Sequence, residues 1–172
     1  MKQTKAIKLS YMAGFFDGEG CVTIVRQKPT GRQKSIRYQL HVMVGQKDGQ
    51  IMDWIIGNFG GSVYKVSRDN SYVWQISQNK AYLFLKEILP FLKYKRPQAE
   101  LGIRFMQRMI NREATFSPGK GGKLSEHEIQ IRESFCQQMN QLKRQFAGCS
   151  VDLKGAGVTT KCDDSQMGDA IV

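Results

Sequence analysis

The residues best suited to chemistry in this 172-residue chain lie in LSYMAGFFDGEGCVTI, residues 9–24. A mostly apolar helical stretch ends there on two acids, Asp17 and Glu19, each followed by a glycine. The glycines permit a tight break and close backbone approach. A carboxylate at a helix C-terminus sits among outward-facing carbonyls, a poor place for an anion and a good one for a cation. Glu19, with the Gly18 carbonyl, offers hard oxygen ligands that suit magnesium, calcium or manganese rather than zinc. One carboxylate is a weak motif, and a plain polar turn between helix and strand accounts for the same residues.

The apolar half of the stretch needs its own account. Met12, Ala13, Phe15 and Phe16 leave little of this helix polar, and Ala13 and Gly14 are small enough for another backbone to come close. A single helix seeking a helical partner suggests a two-fold dimer, in which two copies of Glu19 meet near the axis. Burial inside one chain is the alternative.

Net charge is +11. Such a balance points to nucleic acid or another polyanion. Residues 1–100 carry 16 Lys or Arg against 7 Asp or Glu, and residues 20–47 hold six basic residues and no acid. No run of eighteen apolar residues exists, so no membrane span is expected. The first sixteen residues imitate a secretory leader, but the apolar run is short and leads into DGEG rather than a small-residue cleavage site. Cys21, Cys136, Cys149 and Cys162 form no CxxC pair, and with only His41 and His127 beside them no structural zinc site is expected. Reduced thiols in a reducing compartment are the default.

Several elements must position the opening motif. Residues 21–27 read as a strand. Residues 35–46 alternate clearly, with Tyr38, Leu40, Val42 and Val44 on one face and Arg37, Gln39, His41 and Met43 on the other. The second face could be plain solvent exposure. Residues 50–61 read as a short helix ended by Gly60 and Gly61. Two strands follow, turning at Asp69-Asn70. Residues 79–95 read as a helix that Asn79 can cap and Pro90 interrupts. Residues 97–113 form another helix, with Pro97 in its first turn. SPGKGG, residues 117–122, is a linker, and Ser125 with Glu128 makes a capping box for a last long helix. The order implies an α+β domain over residues 1–147 and an irregular tail over 148–172. No GxGxxG or Walker loop is present.

LSYMAGFFDGEG closely resembles the motif of the LAGLIDADG homing endonucleases. With one copy, the chain is similar to the single-motif, homodimeric class encoded in group I introns. The resemblance implies an αββαββα core with additional C-terminal helices. It also implies motif helices packed at a dimer interface, here Met12, Ala13, Phe15 and Phe16, and a saddle-shaped antiparallel sheet in the DNA major groove. The element order fits that core to about Glu113.

Carried over by position, the resemblance makes Glu19 the metal ligand, Gly18 a carbonyl ligand and Asp17 a structural acid tying the helix end to a strand. It places Gln46, in VGQKD, beside the attacking water and Lys95, in LPFLKYKRPQA, beside the scissile phosphate. Some relatives carry an arginine shortly after the glutamine; here Gln50 stands there, with Lys47 nearby. For base reading, Arg37, Gln39, His41 and Gln75 lead, followed by Arg26, Gln27, Lys28, Lys65 and Arg68, because Arg and Gln bond purine edges in the major groove. Thr23 and Val25 compete for the groove side of the first strand, and the basic loop 28–34 suits phosphates.

The implied activity is site-specific, magnesium-dependent double-strand cleavage of a long, nearly palindromic DNA target, with manganese or calcium also able to occupy the site. An RNA-binding intron maturase and a non-catalytic DNA-binding protein of the same fold are the alternatives. An organelle, chloroplast or mitochondrion, or an archaeal cytoplasm fits equally, and the residues do not decide between them.

Overall fold

A computed structural model describes residues 4–29, 36–115 and 124–145. The elements run α1 (Lys5–Glu19), β1 (Gly20–Gln27), β2 (Arg37–Gln46), α2 (Gly49–Phe59), β3 (Ser62–Val66), β4 (Ser71–Ser77), α3 (Gln78–Ile88), a single 3-10 turn (Leu89–Phe91), α4 (Arg96–Thr115) and α5 (Glu126–Gln145). The fold is α+β, and its first seven long elements follow the expected αββαββα order. The linker 117–122, most of the basic loop 28–34 and the tail 148–172 lie outside the described residues.

All strand pairs are antiparallel, in the order β1-β2-β4-β3. One row crosses the whole sheet: Gly20 pairs with Val44, Val44 with Trp74, and Trp74 with Val63. This row fixes which side chains point where. Val22, Ile24, Tyr38, Leu40, Val42, Val44, Trp74 and Ile76 face the helices and form the main core. The opposite face carries a smaller cluster of Cys21, Met43 and Val73, flanked by Tyr64 and Val66. That second face is therefore partly apolar, not a uniformly polar surface.

In α1 the buried residues are Leu9, Met12, Ala13 and Phe16. Their spacing of three, one and three makes one helical stripe. The helix starts at Lys5, a turn earlier than the motif itself, so Ile7 belongs to it as well. A second stripe, Ile7, Ser10, Tyr11, Gly14 and Gly18, stays exposed.

Three local readings differ from expectation. The helix expected over 79–95 ends at Ile88, because Pro90 has no N–H to continue it and the chain tightens into a 3-10 turn. Ser77 rather than Asn79 is its N-cap residue, without a side-chain bond, since Gln78 enters at a positive φ of 53°. The capping box of α5 is half-formed. Ser125 Oγ accepts from Glu128 N at 3.3 Å. The Glu128 carboxylate instead accepts from Arg108 at 2.9 Å and Arg132 at 2.8 Å, joining α4 to α5. Burial pushes the Glu128 carboxyl up, but the two guanidinium bonds more than reverse this and hold it below its ordinary range.

Gly20 joins α1 to β1 where no side chain fits, since a Cβ there would overlap the ring of Phe16. Phe16 is fully buried and cannot yield. Gly20→Ala should therefore destabilise the fold by about 2 kcal/mol, read as a lower urea midpoint with an unchanged slope.

Candidate active site and nucleic-acid interface

α1 ends with the negative end of its dipole beside two acids, an arrangement that needs compensation. It comes from the turn before α4. Asp17 accepts Lys93 N on one carboxylate oxygen and Lys95 N on the other, each at 2.8 Å. The Lys95 ammonium donates to the Asp17 carbonyl and, at 3.3 Å, to the Gly18 carbonyl. Lys95 is buried, with its Nζ 5.9 Å from the Tyr94 ring centroid. Asp17 thus ties the helix end to the Lys93–Lys95 turn rather than to a strand.

Glu19, the last residue of α1, is exposed. Gln46 ends β2 two residues beyond Val44, the partner of Gly20, and so lies at the same end of the sheet. Its Oε1 accepts from Lys47 N at 2.7 Å. Glu19, Gly18, Gln46 and Lys95 are therefore gathered at one end of the sheet. Lys47 and the Ser67–Asn70 turn, with exposed Arg68, lie there too, because Gln46 pairs with Tyr72. Gln50 is exposed, and its N–H donates to the Asp48 carboxylate that caps α2.

The donor set suits a hard cation. Carboxylate, carbonyl and helix-end dipole all present oxygen, and the Lys95 ammonium already occupies two of the carbonyls. The DGEG segment of one chain supplies one exposed carboxylate, Glu19, however, and no group of three or more His, Cys, Asp or Glu among the described residues could hold a metal alone.

Register sorts the expected base-reading residues. Gln27 with Arg37, Thr23 with His41 and Cys21 with Met43 are cross-strand pairs on the outward face, and Gln75 sits opposite Met43. Thr23 and Val25 both lie on this face and are buried. Gln39 Oε1 accepts from Gln27 at 2.9 Å and from His41 Nε2 at 3.2 Å, so three of the expected residues form one network. Lys28 is exposed just past β1. Arg26 and Lys65 depart from the expected placement. Both fall on the helix-side parity, opposite Tyr38 and Tyr72. Arg26 pairs with Glu133 of α5 at 3.5 Å, and Lys65 Nζ lies 5.7 Å from the Tyr72 ring centroid. The facing of Arg26 was ambiguous in sequence because the first six residues of β1 are all buried.

The expected interface residues are corrected more sharply. Met12, Ala13 and Phe16 are wholly buried in the chain's own core, leaving only Phe15 partly exposed. The free surface of α1 is the Ile7, Ser10, Tyr11, Gly14 and Gly18 stripe, with Ile7 and Tyr11 each 53% exposed. The three- and four-residue spacing from Ile7 to Gly18 was the available signal. Glu133 was also not anticipated. It accepts from Tyr38 Oη at 2.8 Å, and burial, reinforced by this carboxylate, holds the phenol well above its ordinary range.

A four-stranded antiparallel sheet, backed by helices and carrying a helix-end carboxylate at one end, defines the α+β class of this domain. The LAGLIDADG endonuclease family matches residues 12–100. The chain belongs to that family. Its fold is similar to the homing endonuclease I-CvuI in complex with the I-CreI target, at TM-score 0.65 and 20% identity over 80% of this chain and 82% of that one. It is similar to the archaeal intron-encoded homing endonuclease I-Vdi141I complexed with DNA, at TM-score 0.56 and 16% identity over 80% and 99%. The LAGLIDADG homing endonuclease I-SmaMI bound to cleaved DNA matches at TM-score 0.64 and 16% identity, over 83% of this chain and 47% of that one. No curated protein sequence matches the chain.

Burial holds the His41 pKa below its ordinary value, so the imidazole is neutral on the outward face near neutral pH. The unfolded chain takes up this proton at higher pH than the folded one. Stability from this group is therefore undiminished above about pH 6.5 and declines as pH falls below it. Urea midpoints measured from neutral pH downward should fall more steeply for the parent than for His41→Gln.

Proposed function

We propose that the chain is a site-specific homing endonuclease that acts as a homodimer on double-stranded DNA and cuts both strands with magnesium. The observation that carries this reading is the pairing of two incomplete features. Glu19 is one exposed carboxylate at the end of a helix whose Ile7–Gly18 stripe stays exposed, with Tyr11 resting edge-on against Trp54 at 5.0 Å between ring centroids. Ser10, Gly14 and Gly18 let a second copy of α1 come close, and a Cβ built at Gly14 or Gly18 meets nothing within 4 Å. A two-fold axis along this stripe brings two copies of Glu19 together and doubles the carboxylate count. The chain's span of about half of I-SmaMI supports the same arithmetic.

Glu19 and the Gly18 carbonyl are the groups that would hold magnesium. When bound, the ion supplies an activated water and stabilises the leaving oxygen. Lys95 brings a positive charge to the phosphate undergoing attack. Gln46 orients the water from the end of β2. No side chain here stands out as a classical base.

The outward sheet face supplies recognition. Same-face residues along a strand recur every ~6.8 Å, about two base-pair steps. Gln27, Gln39, His41, Arg37 and Gln75 then contact base edges in one half-site, while Lys28, Lys47 and Arg68 serve phosphates at its two ends. Relatives that support this reading are those described in complex with DNA.

Cleavage of a randomised duplex library, sequenced after magnesium addition, tests the activity and recovers the target. Glu19→Gln should cut the recovered target at least about a hundredfold more slowly while still binding it. Sequence-specific binding by the parent without any magnesium-dependent cut would replace catalysis with a binding role, and preference for structured RNA would favour the maturase reading.

Oligomeric state gives a second test. Gly14→Leu adds a side chain where the chain itself leaves open space. It should keep or raise the melting temperature, because leucine favours helix over glycine by up to about 1 kcal/mol. Sedimentation should nonetheless shift from dimer to monomer, with double-strand cleavage lost. A dimeric Gly14→Leu protein would sink the proposed axis.

A further inference from the structure

Near the proposed active site, Gln98 Oε1 is buried without a hydrogen-bond partner among the described residues. Gln98 itself is 3% exposed. Such orphaned acceptors are uncommon in folded proteins. Gln98 is the third residue of α4, and Lys95 immediately precedes that helix. Ala99 N donates to the Lys95 carbonyl at 3.0 Å, the first bond of the helix, which makes Lys95 its N-cap. A glutamine at the third position is placed to accept the main-chain N–H of the N-cap residue. That N–H is already taken by Asp17 at 2.8 Å. The Asp17 carboxylate thus holds the donor that the third-position Gln98 amide would otherwise accept.

We propose that Gln98 is a positioning residue for Lys95, serving as the second acceptor for its main-chain N–H. The functional half of this inference rests on the reading of Glu19 and Lys95 given above. In the arrangement described, Asp17 holds the N–H and the Lys95 ammonium rests on the carbonyls of Asp17 and Gly18. At the Gly18 carbonyl, the Lys95 ammonium would be repelled by any divalent cation held there. Passing the N–H from Asp17 to Gln98 lets the Lys95 turn shift off α1 without stranding a main-chain donor. The ammonium is released toward the phosphate, and the amide oxygen of Gln98 gains its partner.

Amide hydrogen exchange at Lys95, measured on the full chain without metal or DNA, tests the acceptor pair directly. Asp17→Ala leaves only Gln98, Gln98→Leu leaves only Asp17, and the double variant leaves neither. Gln98→Leu should change exchange at Lys95 by less than about fivefold in the parent and by about a hundredfold in the Asp17→Ala background. Asp17→Asn replaces Asp17→Ala if the latter does not fold. Additive effects overturn the proposal. So does a Gln98→Leu protein that loses thermal stability without altering Lys95 exchange in either background, the behaviour of a glutamine that merely holds a buried water.

A second arm uses the target recovered from the library. Gln98→Leu should raise the magnesium midpoint for cleavage about tenfold, and Gln98→Glu, which keeps an acceptor, should restore it. Glu19→Gln runs beside them. If it is inactive while Gln98→Leu keeps the parental midpoint, the positioning role fails alone. If Glu19→Gln still cuts, the metal reading fails, and the exchange result still judges the acceptor pair.

Discussion

The bond set between Asp17 and the Lys93–Lys95 turn is the constraint on which the rest of this molecule depends. A helix that ends on acids works against its own dipole. Here the helix end is neutralised from a segment 76–78 residues away, by two main-chain N–H groups on Asp17 and one ammonium on the terminal carbonyls. Hydrogen bonds to a charged group are each worth about 1.5–3 kcal/mol. Against a total stability of about 5–15 kcal/mol for a domain, two of them are a large share. The same bonds leave Glu19 exposed, because Asp17 takes the structural partners and its neighbour two residues on takes none of them. Under the proposed function, structure and chemistry are divided between two acids two residues apart.

From that anchor the geometry propagates. Gly20 must follow α1 directly, under the Phe16 ring, and its pairing with Val44 sets the register of the whole sheet. Register then decides which residues look outward. Gln27, Gln39 and His41 do, while Arg26 and Lys65 do not. The outward network is neutral, since burial keeps His41 unprotonated, so its hydrogen-bonding groups are suited to discriminating base edges rather than adding charge. Exposed Lys28, Lys47 and Arg68 lie near the ends of this surface, where phosphate contacts would fix orientation.

Much of the fold was legible because its local signals are strong. The alternation of Tyr38, Leu40, Val42 and Val44 against Arg37, Gln39 and His41 is a period-two pattern that only one register satisfies. The motif residues likewise pointed to a helix end with hard oxygen donors. What could not be read is non-local. β1 is buried on both faces over its first six residues, so periodicity could not say where Arg26 points. The partners of Asp17 are distant in sequence and mostly main-chain atoms, which leave no side-chain signature. Met12, Ala13 and Phe16 look like an interface because they are apolar, yet the single chain buries them. The stripe left over is marked less by hydrophobicity than by Gly14, Gly18 and Ser10, small residues whose meaning depends on what approaches them.

The opposite end of the sheet has its own anchor, supplied by a helix outside the matched family segment. α5 begins at Glu126, and the family match ends at residue 100. Glu133 accepts from Tyr38 and pairs with Arg26, while Cys136 Sγ donates to the Ile24 carbonyl at 3.6 Å. These contacts hold the far ends of β1 and β2, the ends that present Gln27, Gln39 and Arg37. Base reading requires side chains held in fixed positions, and a strand end joined to an adjoining loop would otherwise be the loosest part of the sheet. Under the proposed function, Arg26, although on the helix side of the sheet, would bear on recognition through Glu133 by holding Gln27 next to it in place. The sheet is fixed beside Glu19 by Asp17 and at its far end by Glu133, and under the proposed function the span between those anchors would bound the outward surface that one chain offers to DNA.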